Sequence, residues 1–231
     1  LATSLGLGAQ QISSGMHYLF GVEAGIGLQV SIIAFITLIA TISVVRGLDG
    51  GVKLLSNVNM AMAAFFLLFV FSVGPTLIIL GGFWDNTVNY VRDFIPLSNW
   101  VGRDDTEWFH GWTVFYWAWW ISWSPFVGMF IARVSKGRTV REFLVCVLLI
   151  PSRVCVLWMT VFGGVAIQQV IQDGYTLAQN APLELKLFKM LDALPLSTIT
   201  SVIGIVLVIV FFVTSSDSGS LVIDTITAGG K

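Results

Sequence analysis

Long apolar runs, each about as long as a bilayer is thick, constrain this chain more than any other feature of its sequence. A transmembrane helix needs about 20 mainly apolar residues. Five runs have about that length, at residues 24–45, 58–80, 112–132, 143–167 and 197–213, the last with a polar continuation to 227. A truncated sixth run opens the chain at residues 1–16. The pattern predicts an all-α membrane protein with six spans, the first of them truncated.

Composition supports this class and argues against others. Hydrophobic residues make up 56% of the chain and charged residues 11%, whereas soluble domains carry about a quarter charged residues. The formal net charge of −1 leaves no basic surplus to neutralise phosphates, so nucleic acid is not an expected partner. The chain starts inside an apolar run, and its first residue is leucine rather than methionine. We therefore expect it to be a fragment. Residues 1–231 are expected to form a single transmembrane domain.

The distribution of basic residues predicts the orientation in the bilayer. The loop at residues 133–141 holds four basic residues and no acid, whereas the segment 81–111 holds five acidic residues and two basic ones. Cytoplasmic loops of membrane proteins are enriched in lysine and arginine. We therefore expect the loops at 46–53 and 133–141 to be cytoplasmic, and the segments 81–111 and 172–195 to lie outside.

The segment WTVFYWAWWISW, residues 112–123, holds seven aromatic residues, five of them tryptophan. At 100° per residue, one stripe of about 100° on a helix gathers five rings, namely Trp112, Tyr116, Trp119, Trp120 and Trp123. A belt at the membrane interface would explain the outermost rings. A belt explains Trp123 poorly, because that residue lies about 16 Å deeper in the membrane than Trp112. Clustered indoles favour a cationic guest, above all a quaternary ammonium.

Pro125 follows this segment at the depth where the helix should be near the bilayer centre. A proline removes one amide donor and displaces the carbonyl four residues earlier. The sequence predicts a broken or kinked helix here. An ordinary proline kink is one interpretation, and a break that marks a transporter binding site is the other.

A second candidate site is VTSSDSGS, residues 213–220, where hydroxyl side chains cluster at the end of an apolar run. Hydroxyl and carbonyl oxygens bind hard cations such as sodium, and Thr214 and Ser215 could supply two ligands. The alternative is that these hydroxyls bond only to the preceding helical turn. A serine nucleophile would need a base, but His17 and His110 both fall on the outer side, so we do not expect an enzyme.

Four segments resemble recurring segments of one transporter family, in the same order along the chain. They are SLGLGAQQI, RGLDGGVKLLSN, WTVFYWAWWISWSPFVGMFIARVSKGRTVREF and FFVTSSDSGS. The family is the betaine/choline/carnitine transporters (BCCT). The resemblance implies a twelve-helix protein of the cell inner membrane, often a homotrimer, with a LeuT-like core of ten helices in two inverted repeats. The chain would supply about the fifth to the tenth helix.

The same resemblance assigns roles to single residues. Trp119, Trp120 and Trp123 match substrate-contacting tryptophans, with Phe115 beside the permeation path. Tyr116 lies on the same stripe and is a further candidate for substrate binding. Phe126 matches a residue near one sodium site. The other sodium site would receive Phe211, Thr214 and Ser215.

The function implied is sodium-coupled uptake of a quaternary ammonium compatible solute, glycine betaine, by alternating access. The intact pair Thr214 and Ser215 supports sodium, as does the absence of arginine and lysine from residues 1–16. Sodium would be the coupling ion, and no other cofactor is expected. Proton-coupled choline uptake and exchange of carnitine for betaine remain alternatives. A hypothesis of another class is an aromatic-lined channel for an ammonium-type cation.

Overall fold

Helices make up almost all of the described chain, which in this computed structural model comprises residues 2–46, 51 and 53–229. The α-helices are α1 Ala2–Phe20, α2 Ile26–Val45, α3 Lys53–Val73, α4 Thr76–Ser98, α5 Thr106–Trp108, α6 Phe115–Val134, α7 Val140–Leu144, α8 Ile150–Trp158, α9 Gly164–Ile171, α10 Leu177–Asn180, α11 Lys186–Asp192 and α12 Ser197–Thr227. Three π-helical segments join α5 to α6, α7 to α8 and α8 to α9; they are Phe109–Val114, Val145–Leu149 and Met159–Gly163. A 3-10 turn, Leu183–Leu185, precedes α11.

Four stretches of the described residues are long and apolar enough to cross a membrane. They are Ile26–Val45, Lys53–Val73, Val140–Ile171 and Ser197–Thr227. The prediction of an all-α membrane protein is confirmed. Two other predicted spans form helices, α1 and α6, that are not among these four. Glutamine, histidine and serine lower the mean hydropathy of α1, and tryptophan, serine and proline lower that of α6.

The third predicted span, 58–80, is wrong at its end. The helix α3 stops at Val73, and α4 begins at Thr76 and continues to Ser98, through much of the segment expected to be a polar loop. Pro75 lacks the amide hydrogen that would continue the ladder of α3. The hydroxyl of Thr76 donates to the carbonyl of Phe71 at 3.0 Å and so satisfies one of the last acceptors of α3. The apolar run crosses this break, and hydropathy therefore did not reveal it.

The buried apolar residues form two clusters, and the segment 176–194 contributes side chains to both. The first cluster joins α3 and α4 to the helices around the third π-helical segment, and includes Phe66, Val70, Ile79, Val161 and Val165. The second joins α1, α2 and α12, and includes Ile12, Ile36, Ile205 and Val213. The helix α11 contributes Leu191 to the first cluster and Phe188 to the second. Both side chains are fully buried, so α11 connects the two groups of helices.

Residues 176–194 do not form one continuous helix. They divide into α10, the 3-10 turn and α11. The end of α1 holds this segment in place, because Tyr18 donates a hydrogen bond to Asp192 and the Lys189 ammonium lies 4.2 Å from the centre of the Tyr18 ring. The distribution of basic residues predicts that the end of α1 and the end of α11 both lie outside the membrane.

Some predictions concern residues outside the described part of the chain. The basic turn predicted at residues 46–53 includes positions 47–50 and 52, and the truncated first run includes Leu1; these positions are not described. The side chain of Arg133, part of the other basic loop, is likewise not described.

Candidate functional site

The tryptophan-rich helix is preceded by a π-helical segment, Phe109–Val114, which the sequence did not reveal. A π-helix pairs residues i and i+5 and is often found at functional sites. The wheel at 100° per residue therefore does not hold across this segment. Trp112 stacks on Tyr116, with ring centroids 6.1 Å apart and an interplanar angle of 9°. Trp119, Trp120 and Trp123 all lie beyond it, in regular α-helix.

Of the break or kink predicted at Pro125, the break is not present, because α6 continues through this residue to Val134. Pro125 cannot donate a hydrogen bond to the carbonyl of Ile121. The hydroxyl of Ser124 donates to that carbonyl instead, at 2.9 Å. Two residues earlier, the hydroxyl of Ser122 donates to the carbonyl of Trp119 at 2.8 Å. Ser124 thus supplies the hydrogen bond that the proline cannot make.

A cavity of about 370 Å³ lies between α1, α6 and α12. Its lining consists of Ser4, Leu7, Trp119, Trp120, Trp123, Val127, Phe211, Phe212 and Ser215. Five of these nine, the three tryptophans with Phe211 and Ser215, are residues that the sequence put forward for the substrate or for sodium. The cavity therefore brings the two candidate sites, about 90 residues apart in the chain, to one place.

Three further candidate residues lie next to this cavity without lining it. The ring of Phe115 makes an edge contact with Trp119, at 5.5 Å between centroids. The ring of Tyr116 stacks on the ring of Trp112. Thr214 donates its hydroxyl proton to the carbonyl of Phe211 at 2.9 Å. That bond is the local one expected of a helical threonine, yet it leaves the lone pairs of the threonine oxygen free.

A smaller cavity of about 230 Å³ adjoins the first at Trp123, which lines both. Its other lining residues are Ser122, Phe126 and Ile223. The rings of Trp123 and Phe126 are tilted against each other at 6.2 Å between centroids. Phe126, the candidate for one sodium site, thus belongs to this second cavity.

Among the described residues, no charged side chain lines the larger cavity. Ring faces and the hydroxyls of Ser4 and Ser215 are the groups it offers. A cation there would be held by the negative faces of the rings and by oxygen atoms, without a counter-ion from the lining.

Sequence reasoning missed Ser4, Leu7 and Phe212 as parts of this cavity. Phe212 fits there because Gly8 on α1 has no side chain; a Cβ at that position would overlap the ring. Gly15, like Gly8, allows close packing, because a Cβ there would lie 2.6 Å from the ring of Phe188. Gly6 has nothing within 4 Å of its would-be Cβ.

The whole chain matches one protein family. The family model described as BCCT, betaine/carnitine/choline family transporter, matches residues 1–231. A glycine betaine/proline/choline transporter of Vibrio parahaemolyticus is 63% identical over 231 residues, which are 100% of this chain and 42% of that protein. Glycine betaine transporter 1 of the same organism is 60% identical over 233 residues, 100% of this chain and 44% of that protein.

A more distant relative gives the same result. The glycine betaine transporter OpuD of Bacillus subtilis is 43% identical over 234 residues, which cover 100% of this chain and 46% of that protein. The chain thus spans less than half the length of these curated relatives. Its match to the family model covers every residue, and the chain belongs to the betaine/carnitine/choline (BCCT) transporter family.

Proposed function

We propose that a full-length protein containing this chain takes up glycine betaine together with sodium, by alternating access across the cell inner membrane. The observation that carries this proposal is the cavity lined by Trp119, Trp120, Trp123 and Ser215. Its volume of about 370 Å³ falls in the range of about 300–1,000 Å³ usual for small-molecule sites.

The chemistry of the lining supports a quaternary ammonium substrate. A trimethylammonium group has no N–H to donate, so hydrogen-bond acceptors cannot hold it, whereas an indole face attracts its charge. Three indoles and two phenyl rings border the cavity. The printed names of the relatives include glycine betaine, proline and choline, and we carry betaine over as the first choice and choline as the second.

Oxygen atoms on α12 support sodium as the coupling ion. The Thr214 oxygen donates its proton to a backbone carbonyl and keeps its lone pairs for a cation. Ser215 follows it in the chain and lines the cavity. Together with Phe211 they form the half of a sodium site that this chain would contribute. Phe126, in the adjoining cavity, belongs to a second sodium site in the same proposal.

The topology in the membrane and the assembly belong to the proposal as well. The loops at 46–53 and 133–141 are cytoplasmic, and the protein assembles as a homotrimer. Trp123 borders both cavities, so a substrate that leaves the larger cavity toward Ile223 passes this ring.

Uptake of labelled betaine and choline by a full-length protein containing this chain tests the proposal. Sodium is replaced by potassium, with and without a pH gradient. We expect betaine uptake to fall to background without sodium, whatever the pH gradient. Undiminished betaine uptake in potassium would overturn sodium coupling, and choline uptake that follows the pH gradient would favour the proton-coupled alternative. Conduction that does not saturate with substrate would favour a channel.

A further inference from the structure

Asp217 is a carboxyl group buried inside a helix that is long and apolar enough to span a membrane. It lies on α12, two residues after Ser215, and its side chain has no exposed surface. Two residues turn a helix by about 200°, so Asp217 lies on the side of α12 opposite Ser215, away from the cavity. Ionisable groups at such places are costly and usually have a function. The proposed transport cycle assigns no role to the carboxyl group of Asp217.

Its partner is Ser43, at the end of α2. The Ser43 hydroxyl donates to Oδ2 of Asp217 at 2.6 Å, and only 3% of the Ser43 surface is exposed. Gly51 covers this end of α2, because a Cβ there would overlap the Ser43 carbonyl oxygen. The other carboxylate oxygen, Oδ1, has no hydrogen-bond partner among the described residues. The interaction is thus a single buried hydrogen bond between helices 174 residues apart in the chain.

This hydrogen bond acts on the part of α12 that carries the hydroxyl pair. Apolar contacts such as those of Val213 hold α12 against its neighbours, but they are not directional and tolerate a small rotation of a helix. A hydrogen bond weakens steeply when its angle changes. The bond to Ser43 therefore fixes the rotation of α12 at Asp217, two residues after Ser215 in the chain.

We propose that Asp217 is a positioning residue for the cation half-site on α12, and that it acts through its hydrogen bond with Ser43. This inference rests on the proposed sodium coupling. It assigns to Ser43 and Asp217 no contact with sodium or with betaine. Loss of the bond lets α12 rotate, which misaligns the two hydroxyl oxygens and weakens sodium binding. The rotation also moves the α12 side of the cavity, but the three indoles on α6 keep their places, so the betaine site changes less.

The test compares the variants Ser43→Ala, Ser43→Thr, Asp217→Asn and Asp217→Ala in a full-length protein containing this chain. The sodium concentration for half-maximal uptake and the betaine concentration for half-maximal uptake at saturating sodium are measured separately. We expect Ser43→Ala to raise the sodium value about two- to tenfold, the cost of one hydrogen bond, and to raise the betaine value by a smaller factor. Ser43→Thr keeps the hydroxyl group, so its sodium value should stay close to that of the wild-type protein. Asp217→Asn keeps an acceptor for Ser43 and has a smaller effect than Asp217→Ala.

Ser31→Ala is the matched control, because Ser31 lies on the same helix but donates only to the carbonyl of Gly27 in its own helix. A second measurement does not depend on transport: the rise in thermal unfolding temperature of the purified protein with added sodium. Ser43→Ala should need more sodium for the same rise. An unchanged sodium dependence in Ser43→Ala, or an equal change in the betaine value, overturns the inference. A wild-type protein that ignores sodium in both measurements overturns the proposed coupling, and this inference with it.

Discussion

The ring of Phe212 on α12 occupies the space that a side chain at position 8 of α1 would need. A Cβ on Gly8 would overlap three atoms of this ring, and Phe212 lines the cavity with Trp119 and Ser215. The close approach of α1 and α12 at Gly8 therefore sets where one wall of the cavity lies.

Replacing Gly8 with alanine should affect both stability and binding. The added methyl group pushes Phe212 toward the cavity, and overpacking of this kind costs about 1–3 kcal/mol. We expect Gly8→Ala to lower the thermal unfolding temperature and to weaken betaine binding measured by tryptophan fluorescence. Gly6→Ala is the control, since nothing lies within 4 Å of that position. Equal behaviour of the two variants would contradict the packing described here.

Gly15 separates the effect on stability from the effect on binding. A Cβ there would lie 2.6 Å from the ring of Phe188, which is buried in the second cluster and does not line the cavity. Gly15→Ala should lower the unfolding temperature and leave the dissociation constant for betaine within about twofold of wild type. A loss of betaine affinity as large as that of Gly8→Ala would show that the two positions are not distinct.

Trp120 should contribute to binding through its ring. We expect Trp120→Ala to weaken betaine binding by about 1–2 kcal/mol, which is about 5- to 30-fold in the dissociation constant, and Trp120→Phe to lose less. Trp117→Ala is a matched control: both indoles lie on α6, with exposed fractions of 64% for Trp120 and 53% for Trp117, but only Trp120 lines the cavity. If both variants bind equally well, the ring of Trp120 has no role in holding the substrate.

Arg103 holds the chain between α4 and the tryptophan-rich helix. It forms two hydrogen bonds with Asp105, at 2.7 and 2.6 Å, and a third at 3.2 Å with the carbonyl of Pro96. Its guanidinium carbon also lies 5.0 Å from the centre of the Phe109 ring. Arg103→Ala should raise hydrogen exchange in residues 99–109. Arg92→Ala should not change it, because Arg92 pairs only with its neighbour Asp93.

The same pair gives a prediction for the pH dependence of this loop. The hydrogen bonds from Arg103 lower the pKa of Asp105. A carboxyl whose pKa is lower in the folded state stabilises that state above its unfolded pKa of about 3.9. This contribution is lost as the pH falls through the folded-state value. Protection of residues 99–109, corrected for intrinsic exchange rates, should therefore persist to about pH 4 and fall below it. Loss of protection between pH 7 and 5 would contradict the pairing.

The sequence predicted the class of the molecule and half of the cavity, because those depend on local patterns. Apolar runs of bilayer length predict helices, and the spacing of Trp119, Trp120 and Trp123 on one helix predicts a ring cluster. The break at Pro75 was missed because apolar residues continue on both sides of it. The break expected at Pro125 is absent because Ser124 supplies the hydrogen bond that the proline cannot.

Contacts between distant segments could not be derived from these patterns. Ser4 and Phe212 join the cavity only because α1 packs on α12, which depends on a glycine whose neighbour lies about 200 residues away. The bond between Ser43 and Asp217 joins helices 174 residues apart. Asp217 stands among hydroxyl residues in the sequence, and its bond to Ser43 could be found only from the packing of α2 against α12.

The positive charge of the substrate, held by indole faces, is the central claim, and a copy of betaine that lacks this positive charge tests it most directly. In 3,3-dimethylbutanoate a carbon replaces the nitrogen of betaine, so shape and carboxylate remain while the positive charge is lost. Competition against labelled betaine is measured for both compounds in wild type and in Trp120→Ala. We predict that betaine competes at a concentration more than about tenfold lower than the copy without the positive charge, and that this gap narrows in the variant. Equal competition by the two compounds in the wild-type protein would contradict the claim.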